Sequence, residues 1–291
     1  MSGVKVYNSG DTIGAFKVLA ELGRGAASII YLVQDPKTKQ VWALKHVQKL
    51  TEKDQRFLEQ AEQEYKVSGK LDHAAFRKIP KLLKEGNFLS VKGLMLQMEL
   101  VDGVSCDTKP PKTFESAVHI FLQVARGLAH MHGAGFVHAD MKPNNVVVDD
   151  DGLVKVIDLG QSCKIGTVKP RIQGTPDYIA PEQVHRRPIT GATDIYNLGA
   201  TMYWTLTRQH IPTALAKEDS LVGSLDDSLI EKPKPVRELN TKCPERLSDL
   251  IMHCVEVDPA DRPETMSSVA DQLELIQGVL RARSGGDGAE G

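Results

Sequence analysis

The stretch FVHADMKPNNVVV, residues 136–148, places several polar residues directly in front of a short apolar run. A carboxylate, Asp140, stands two residues before the cation Lys142 and five before the amide of Asn145. The runs NNVVVDD and GLVKVIDLG flank a turn at 149–152, which predicts two short strands joined by that turn. Asp140 and Asn145 taken singly are common turn formers, so their meaning depends on the segments that surround them.

The composition is that of an ordinary globular protein. The chain has 291 residues, 41% of them apolar and 25% charged, which fits one large domain or two small lobes. The formal net charge of −2 predicts no general attraction to nucleic acid or to membranes. The sequence shows no long uncharged apolar run and no secretory leader pattern, so we expect no membrane segment and a cytoplasmic location. The four cysteines lack metal-site spacing, and we expect free thiols.

The first third of the chain predicts a sheet with one helix. The runs FKVLAELG, SIIYLVQ and VWALKHV, within residues 16–47, are rich in β-branched and apolar residues, as is typical of strands. Residues 51–71 follow with a helical stripe, and GLMLQMELVDG, 93–103, predicts another strand. The stripe comprises Phe57, Ala61, Glu64, Ser68 and Leu71. A glutamate on such a stripe needs a partner, because burying an unpaired carboxylate is costly.

From residue 114 onward the patterns are mostly helical. Apolar residues at helical spacing predict helices around 117–131, 195–206 and 266–280. The segment IEKPKPVRELN, 230–240, has too many prolines for a helix interior and predicts an ordered loop. The ending RARSGGDGAEG, 281–291, has the composition of a disordered tail. The sequence therefore predicts a small β-rich half followed by a larger α-rich half.

Two glycines, Gly23 and Gly25, lie between the first two predicted strands in LGRGAASIIY. Glycines at such a tip let backbone N–H groups approach phosphate oxygens, although two glycines in a hairpin are more often only a turn. The next strand puts Ala43 and Lys45 on one face, because side chains alternate along a strand. A small residue there leaves room for a flat base, and the lysine can reach phosphates. Glu64 is then the natural partner for Lys45.

The motifs of the second half resemble the eukaryotic-like protein kinase family, and most closely its bacterial serine/threonine members. They are HADMKPNN (138–145), VIDLG (156–160), GTPDYIAPEQ (174–183), TDIYNLG (193–199) and DPADRP (258–263). They follow the order of that family, and the resemblance covers residues 12–280.

This resemblance implies an α+β, two-lobed, protein-kinase-like fold. A small β-rich N-lobe with one main helix would span about 12–98, a hinge about 99–103 and a larger, mostly helical C-lobe about 104–280, before the tail. The implied activity is transfer of the γ-phosphoryl group of ATP, with Mg²⁺, to serine or threonine hydroxyls of a protein substrate. Neither nucleic acid nor a membrane is expected as a partner. The sequence leaves the substrate, the upstream signal and the oligomeric state open.

The resemblance also implies roles for single residues of the catalytic segment. Asp140 would accept the proton of the substrate hydroxyl, and Lys142 would contact the transferred phosphate. Asn145 and Asp158 would bind Mg²⁺. Lys45 would contact the α- and β-phosphates.

Further residues of the nucleotide and substrate sites follow from the same resemblance. For the phosphates, the resemblance implies Gly23 and Gly25 in the loop, with Glu64 holding Lys45 in place. For the adenine, it implies side-chain contacts from Leu22, Ile30, Ala43, Val147 and Ile157. Met98 would be the gatekeeper, and Glu99 and Val101 would bind the adenine through their backbone. The implied activation-segment and substrate-side residues are Thr167, Thr175 and Glu182. Asp194 and Arg262 are expected to be structural, with Arg262 paired to Glu182.

Four positions depart from the family pattern. Ser28 replaces the third glycine of the loop, Leu159 replaces a phenylalanine, and Ser68 stands where an apolar side chain usually packs. Ala139 replaces an arginine that in the family binds a phosphate on the activation loop. Because residues 161–173 carry three cations and no acid, an alanine suits its surroundings. We therefore predict an active enzyme whose switching needs no phosphate bound by the catalytic loop.

Two other functions remain open at this point. The Ser28 and Ser68 departures are compatible with a pseudokinase that binds nucleotide or partners without catalysis. A kinase-fold enzyme acting on small molecules is the second alternative, against which Lys142 and the segment 174–183 argue. Turnover separates the first alternative from a kinase, because binding alone would survive Asp140→Asn.

Overall fold

The computed structural model describes residues 4–25, 27–87, 90–212 and 230–286. The chain divides into two compact units. The first comprises Met1–Asp72, Phe76–Asp102 and Asp158–Gly160, and the second comprises His73–Ala75, Gly103–Ile157 and Gln161–Gly291. The chain thus leaves the first unit after Asp102, inside the segment predicted as a hinge.

The first unit contains a six-stranded antiparallel sheet within the part of the chain that the structure describes. Its strands are β1 (Thr12–Ile13), β2 (Phe16–Arg24), β3 (Ser28–Gln34), β4 (Val41–Gln48), β5 (Lys81–Asn87) and β6 (Ser90–Met98). They lie in the order β1-β2-β3-β4-β6-β5. The three strands predicted within residues 16–47 are confirmed. The strand predicted over 93–103 begins and ends earlier, and β5 was not predicted.

One face of this sheet packs on helix α1 (Gln55–Ser68). Ala43 and Val47 of β4 form a buried cluster with Leu58 and Ala61 of the helix. The helix is shorter than the predicted 51–71 because a 3-10 turn, Glu52–Asp54, precedes it and Gly69 caps its carboxyl end.

The second unit is mostly helical. Among the described residues its helices are α2 (Phe114–Gly133), α3 (Pro181–Val184), α4 (Gly191–Thr207), α5 (Val236–Leu239), α6 (Glu245–Cys254) and α7 (Met266–Gly286). Its short strands are β7 (Val104–Ser105), β8 (Phe136–Val137), β9 (Val146–Val148), β10 (Val154–Val156) and β11 (Cys163–Lys164). Helix α2 lies against α7 and α4. The residues predicted for its apolar stripe, from Ala117 to Met131, are buried.

Two predictions about the second unit were wrong in detail. The segment 230–240 contains one helical turn, α5, because Pro235 ends the proline-rich part and precedes the buried Val236. Helix α7 continues to Gly286, six residues into the predicted tail. Residues 287–291 of that tail lie outside the described residues.

The predicted α+β class, with a β-rich first part and a mainly helical second part, is confirmed. No helix among the described residues combines the length and the apolar character needed to cross a membrane.

Candidate active site

Lys45 of β4 lies in a network of carboxylates in the first unit. Its Nζ is 2.7 Å from Oε2 of Glu64 on α1 and 3.7 Å from Oδ1 of Asp158. Burial by itself lowers the pKa of Lys45, but the negative charges of Glu64 and Asp158 outweigh this and raise it. The predicted pairing of Lys45 with Glu64 is confirmed, and the lysine keeps its positive charge.

Three of the other sheet residues predicted to contact nucleotide share the face that carries Lys45. Ile30 is directly opposite Lys45 on β3, and Ala43 is directly opposite Met98 on β6. Opposed residues of an antiparallel pair point to the same side of the sheet. Leu22, on β2, is half-exposed. The sheet therefore places Ile30, Ala43, Lys45 and Met98 on one surface.

Two of the departures from the family pattern have local explanations in the first unit. Ser68 is buried, and its hydroxyl donates a 3.2 Å hydrogen bond to the carbonyl of Arg77. That bond offsets the cost of burying a hydroxyl on an apolar stripe. A methyl group on Gly25 would lie 2.8 Å from Oγ of Ser28, so the serine that replaces the third glycine packs closely against Gly25.

The segment after β6 also constrains how nucleotide could be bound. The N–H of Glu99 donates to the carbonyl of Lys78 at 2.8 Å, and the Glu99 side chain accepts from the Lys78 N–H at 3.0 Å. A backbone bond from Glu99 to a ligand therefore has to use its carbonyl oxygen. Val101 follows this segment and is half-buried.

In the second unit, three side chains form a closed triangle of hydrogen bonds. Nζ of Lys142 donates to Oδ2 of Asp140 at 2.9 Å and to Oγ1 of Thr175 at 2.8 Å. The hydroxyl of Thr175 in turn donates to Oδ1 of Asp140 at 2.8 Å. Both oxygens of the Asp140 carboxylate are thus fixed, one by a cation and one by a hydroxyl. The hydroxyl of Thr175 thus occupies a position in which the hydroxyl of another molecule could donate to Asp140 in the same way.

The amide of Asn145 is oriented by the same loop. Its Nδ2 donates to the carbonyl of Asp140 at 2.8 Å, which leaves the carboxamide oxygen as the atom that could bind a cation. Val147 follows in β9, and the N–H of Ile157 donates to the carbonyl of Asn145 at 3.0 Å.

The backbone before Asp140 is strained, and hydrogen bonds to the carboxylate of Asp194 on α4 stabilise it. Ala139 has a φ of 63°, in the left-handed region that alanine rarely adopts. Oδ1 of Asp194 accepts the Ala139 N–H at 2.7 Å, and Oδ2 accepts the His138 N–H at 2.8 Å. His132 of α2 lies 2.8 Å from the same Oδ2. The structural role predicted for Asp194 is confirmed.

The side chain of Ala139 lies in an apolar cluster with Val137, Cys163 and Ile189. The alanine is 2% exposed. From the sequence, the alanine was interpreted as suited to the cationic segment 161–173. In the structure its immediate neighbours are apolar side chains instead.

The predicted ion pair between Glu182 and Arg262 is confirmed and is buried. Nη1 and Nη2 of Arg262 approach the two carboxylate oxygens at 2.8 and 3.0 Å. Thr193 also donates to Glu182, at 2.8 Å. The backbone of Thr167 pairs with Ile189, and its hydroxyl donates to a carbonyl of the same segment.

Three residues around these groups were not predicted from the sequence. Nη2 of Arg77 lies 3.8 Å from Glu64, His132 supports Asp194, and Nε2 of Gln183 donates to the carbonyls of Ala139 and Gln173 at 2.8 and 3.2 Å. Arg77 lies in an irregular segment with no periodic pattern. Gln183 belongs to a recognised motif, so its position in GTPDYIAPEQ was a usable signal.

Comparison with known proteins gives a family match over most of the chain. The family described as the protein kinase domain matches residues 16–273. A probable serine/threonine-protein kinase of Clostridium acetobutylicum is 25% identical over 270 residues, which are 90% of this chain and 40% of the relative. The serine/threonine-protein kinase PrkC of Bacillus subtilis is 27% identical, again over 90% of this chain and 40% of the relative. PkaB of Streptomyces coelicolor, also a serine/threonine-protein kinase, is 30% identical over 88% and 61%. The chain thus spans less than two thirds of the length of these relatives.

Proposed function

This chain belongs to the protein kinase family, and we propose that it transfers the γ-phosphoryl group of ATP to serine or threonine hydroxyls of a protein. The observation that carries the proposal is the triangle of Asp140, Lys142 and Thr175. In it a carboxylate already receives a hydroxyl, and a cation lies 2.8 Å from that hydroxyl oxygen. A substrate hydroxyl that takes the place of Thr175 would meet a base and a positive charge together.

Asp140 then orients the acceptor hydroxyl and takes its proton, while Lys142 neutralises charge on the phosphoryl group as it moves. Phosphoryl transfer depends mainly on positioning and charge stabilisation, with little covalent help from the protein. The hydrogen bonds that the loop N–H groups donate to Asp194 support this assignment, because they restrict the position of Asp140. Thr167 and Glu182 belong to the segment that presents the substrate side.

Lys45 is proposed to bind the α- and β-phosphates, since its ammonium stays charged between Glu64 and Asp158. Asp158 and Asn145 are proposed as the ligands of Mg²⁺, and both offer the oxygen donors that this ion prefers. The Asp158 side chain is 46% exposed, and the Asn145 amide is turned so that its oxygen remains available for a cation. When bound, the ion would neutralise charge on the phosphates.

The adenine contacts are proposed on the same basis. They are Leu22, Ile30, Ala43, Val147 and Ile157, with Met98 as gatekeeper, Glu99 and Val101 as backbone partners, and Gly23 and Gly25 at the phosphates. The shared sheet face of Ile30, Ala43 and Met98 supports part of this set. A protein substrate and a cytoplasmic location are likewise proposed, as the sequence predicts.

Transfer of labelled phosphate from ATP with Mg²⁺ tests the proposal. The unmodified chain is compared with Asp140→Asn and with Asp271→Asn, an exposed aspartate on α7 that serves as the matched control. We expect label on phosphoserine or phosphothreonine of a generic basic protein, abolished in D140N and unchanged in D271N. Binding of ATP without transfer in the unmodified chain would instead favour the pseudokinase alternative.

A further inference from the structure

The activation segment, residues 161–175, is joined to itself by a lysine. Nζ of Lys169 donates a hydrogen bond to the carbonyl of Gln161 at 2.7 Å. This bond connects the start of the segment to a point eight residues later. The Lys169 side chain is half-buried, and burial lowers the pKa of its ammonium, to which Arg171 adds. The negative charge of Asp140 acts in the opposite direction, but the pKa of Lys169 stays lowered.

The rest of the segment is bound to its own unit by backbone and side-chain contacts. Gly166 and Thr167 exchange hydrogen bonds with Ile189 at 2.8 and 2.9 Å. Nη1 of Arg186 donates to the carbonyl of Pro170 at 3.4 Å, and Gln183 donates to that of Gln173. Each of these bonds uses groups that the unmodified chain already has.

A phosphate on this segment would find no cation at position 139. The side chain there is a buried methyl group among apolar neighbours. In kinases regulated by phosphorylation, new arginine–phosphate pairs order the activation loop. Here the charged group comes from the segment itself, and its partner is a backbone carbonyl.

We infer that Lys169 is a positioning residue that takes the place of an activating phosphate. It keeps the segment ordered so that Thr175 stays against Asp140 until the acceptor hydroxyl takes its place. The inference rests on the proposed kinase function and deepens it, because it assigns how the active arrangement is maintained. The unphosphorylated chain is then active as it stands.

Lys169→Met tests this, because it removes the ammonium and keeps most of the stem. Lys164→Met is the matched control, since Lys164 is an exposed lysine of the same segment. All proteins are treated with phosphatase and checked by intact mass. Hydrogen exchange over residues 161–175 and the steady-state kcat and KM are then measured, together with the melting temperature to verify folding.

We expect K169M to exchange faster over this segment and to lose about tenfold in kcat. That factor corresponds to about 1.4 kcal/mol, close to the lower end of what a hydrogen bond to a charged group contributes. K164M should match the unmodified chain, and Lys169→Arg, which restores a cationic donor, should recover part of the loss. Equal exchange and equal kcat in K169M and K164M would overturn the inference while leaving the kinase function intact. A loss of activity when the unmodified chain is dephosphorylated would also overturn the inference. If no form transfers phosphate, the proposed function fails, and faster exchange in K169M would show a tether without a catalytic role.

Discussion

Replacing Asp194 with asparagine removes one of the two oxygens that hold the backbone of the catalytic loop. Asparagine keeps a single acceptor oxygen and presents an NH₂ group in place of the other. Within the part of the chain that the structure describes, Oδ2 accepts from two donors, His138 N–H and His132, and Oδ1 accepts from one, the Ala139 N–H. The asparagine loses fewer hydrogen bonds if its single oxygen accepts from His138 and His132, so we expect the bond from Ala139 to break.

The strength of that bond sets the expected loss of stability. A hydrogen bond to a charged group contributes about 1.5–3 kcal/mol, and a left-handed alanine costs about 1–2 kcal/mol. Without the bond, Ala139 gains by leaving its φ of 63°, and Asp140 moves with it. Because the relaxation returns part of the lost energy, we expect the free energy of unfolding to fall by only about 1–2 kcal/mol. A misplacement of about 1 Å at a reacting group can cost about 100-fold in rate, so kcat should fall far more.

The test measures kcat and the melting temperature of D194N beside those of D271N. We expect a melting temperature lower by about 2–8 °C and a kcat lower by about 100-fold. A D194N enzyme with the kcat of D271N would refute the reasoning. A collapse of stability in proportion to kcat would refute it as well, because the loop would then not relax independently.

The pH dependence of this stability difference has a definite sign. Burial raises the pKa of Asp194, but the hydrogen bond and charge of His132 outweigh burial, and the pKa is lowered. The contribution of ionised Asp194 to the free energy of unfolding is therefore complete above the unfolded-state pKa of about 3.9. It is lost as the pH falls through the lower pKa of the folded state. The stability gap between the unmodified chain and D194N should be constant near neutrality and close in acid.

Three further outcomes are expected. Ala139→Arg, which restores the family residue, should lower stability by about 1–3 kcal/mol through overpacking of the apolar cluster; an A139R protein as stable in chemical denaturation as the unmodified chain would contradict this. Glu182→Gln should cost about 3–5 kcal/mol in chemical denaturation, because it leaves the buried charge of Arg262 without a carboxylate. The pair Glu182→Leu with Arg262→Met should cost less than E182Q alone, and the reverse order would count against the desolvation argument. All four cysteines are buried, and burial raises the thiol pKa of Cys106 and Cys254 to about 12 and of Cys243 to about 11. A thiol reagent at pH 8 should therefore react quickly only after denaturant is added, and fast reaction of the native chain would show that these sites open.

Charge on an apolar stripe allowed the sequence to predict a distant pairing. Glu64 falls on the buried side of a helix and needed a cation, and the alternation of β4 supplied Lys45 on the facing side. The apolar runs on either side of the turn at 149–152 predicted two short strands, and β9 and β10 confirm them. Such inferences depend on periodicity, which fixes the face that a side chain occupies within its own element. They also depend on the high cost of burying a lone charge, which leaves few acceptable partners.

The environment of Ala139, the bond between Ser68 and Arg77, and the tether from Lys169 to Gln161 were decided by the tertiary structure alone. In two of these cases the partner is a backbone carbonyl, and for Ala139 the neighbours are apolar side chains of two short strands and of Ile189. Every residue has the same carbonyl, so nothing in the residue types distinguishes the one that will be approached. The left-handed φ of Ala139 is equally invisible to residue type, because it is imposed by a carboxylate 55 residues away in the sequence. Periodicity fixes which way side chains face, but only the folded backbone fixes which atoms they meet.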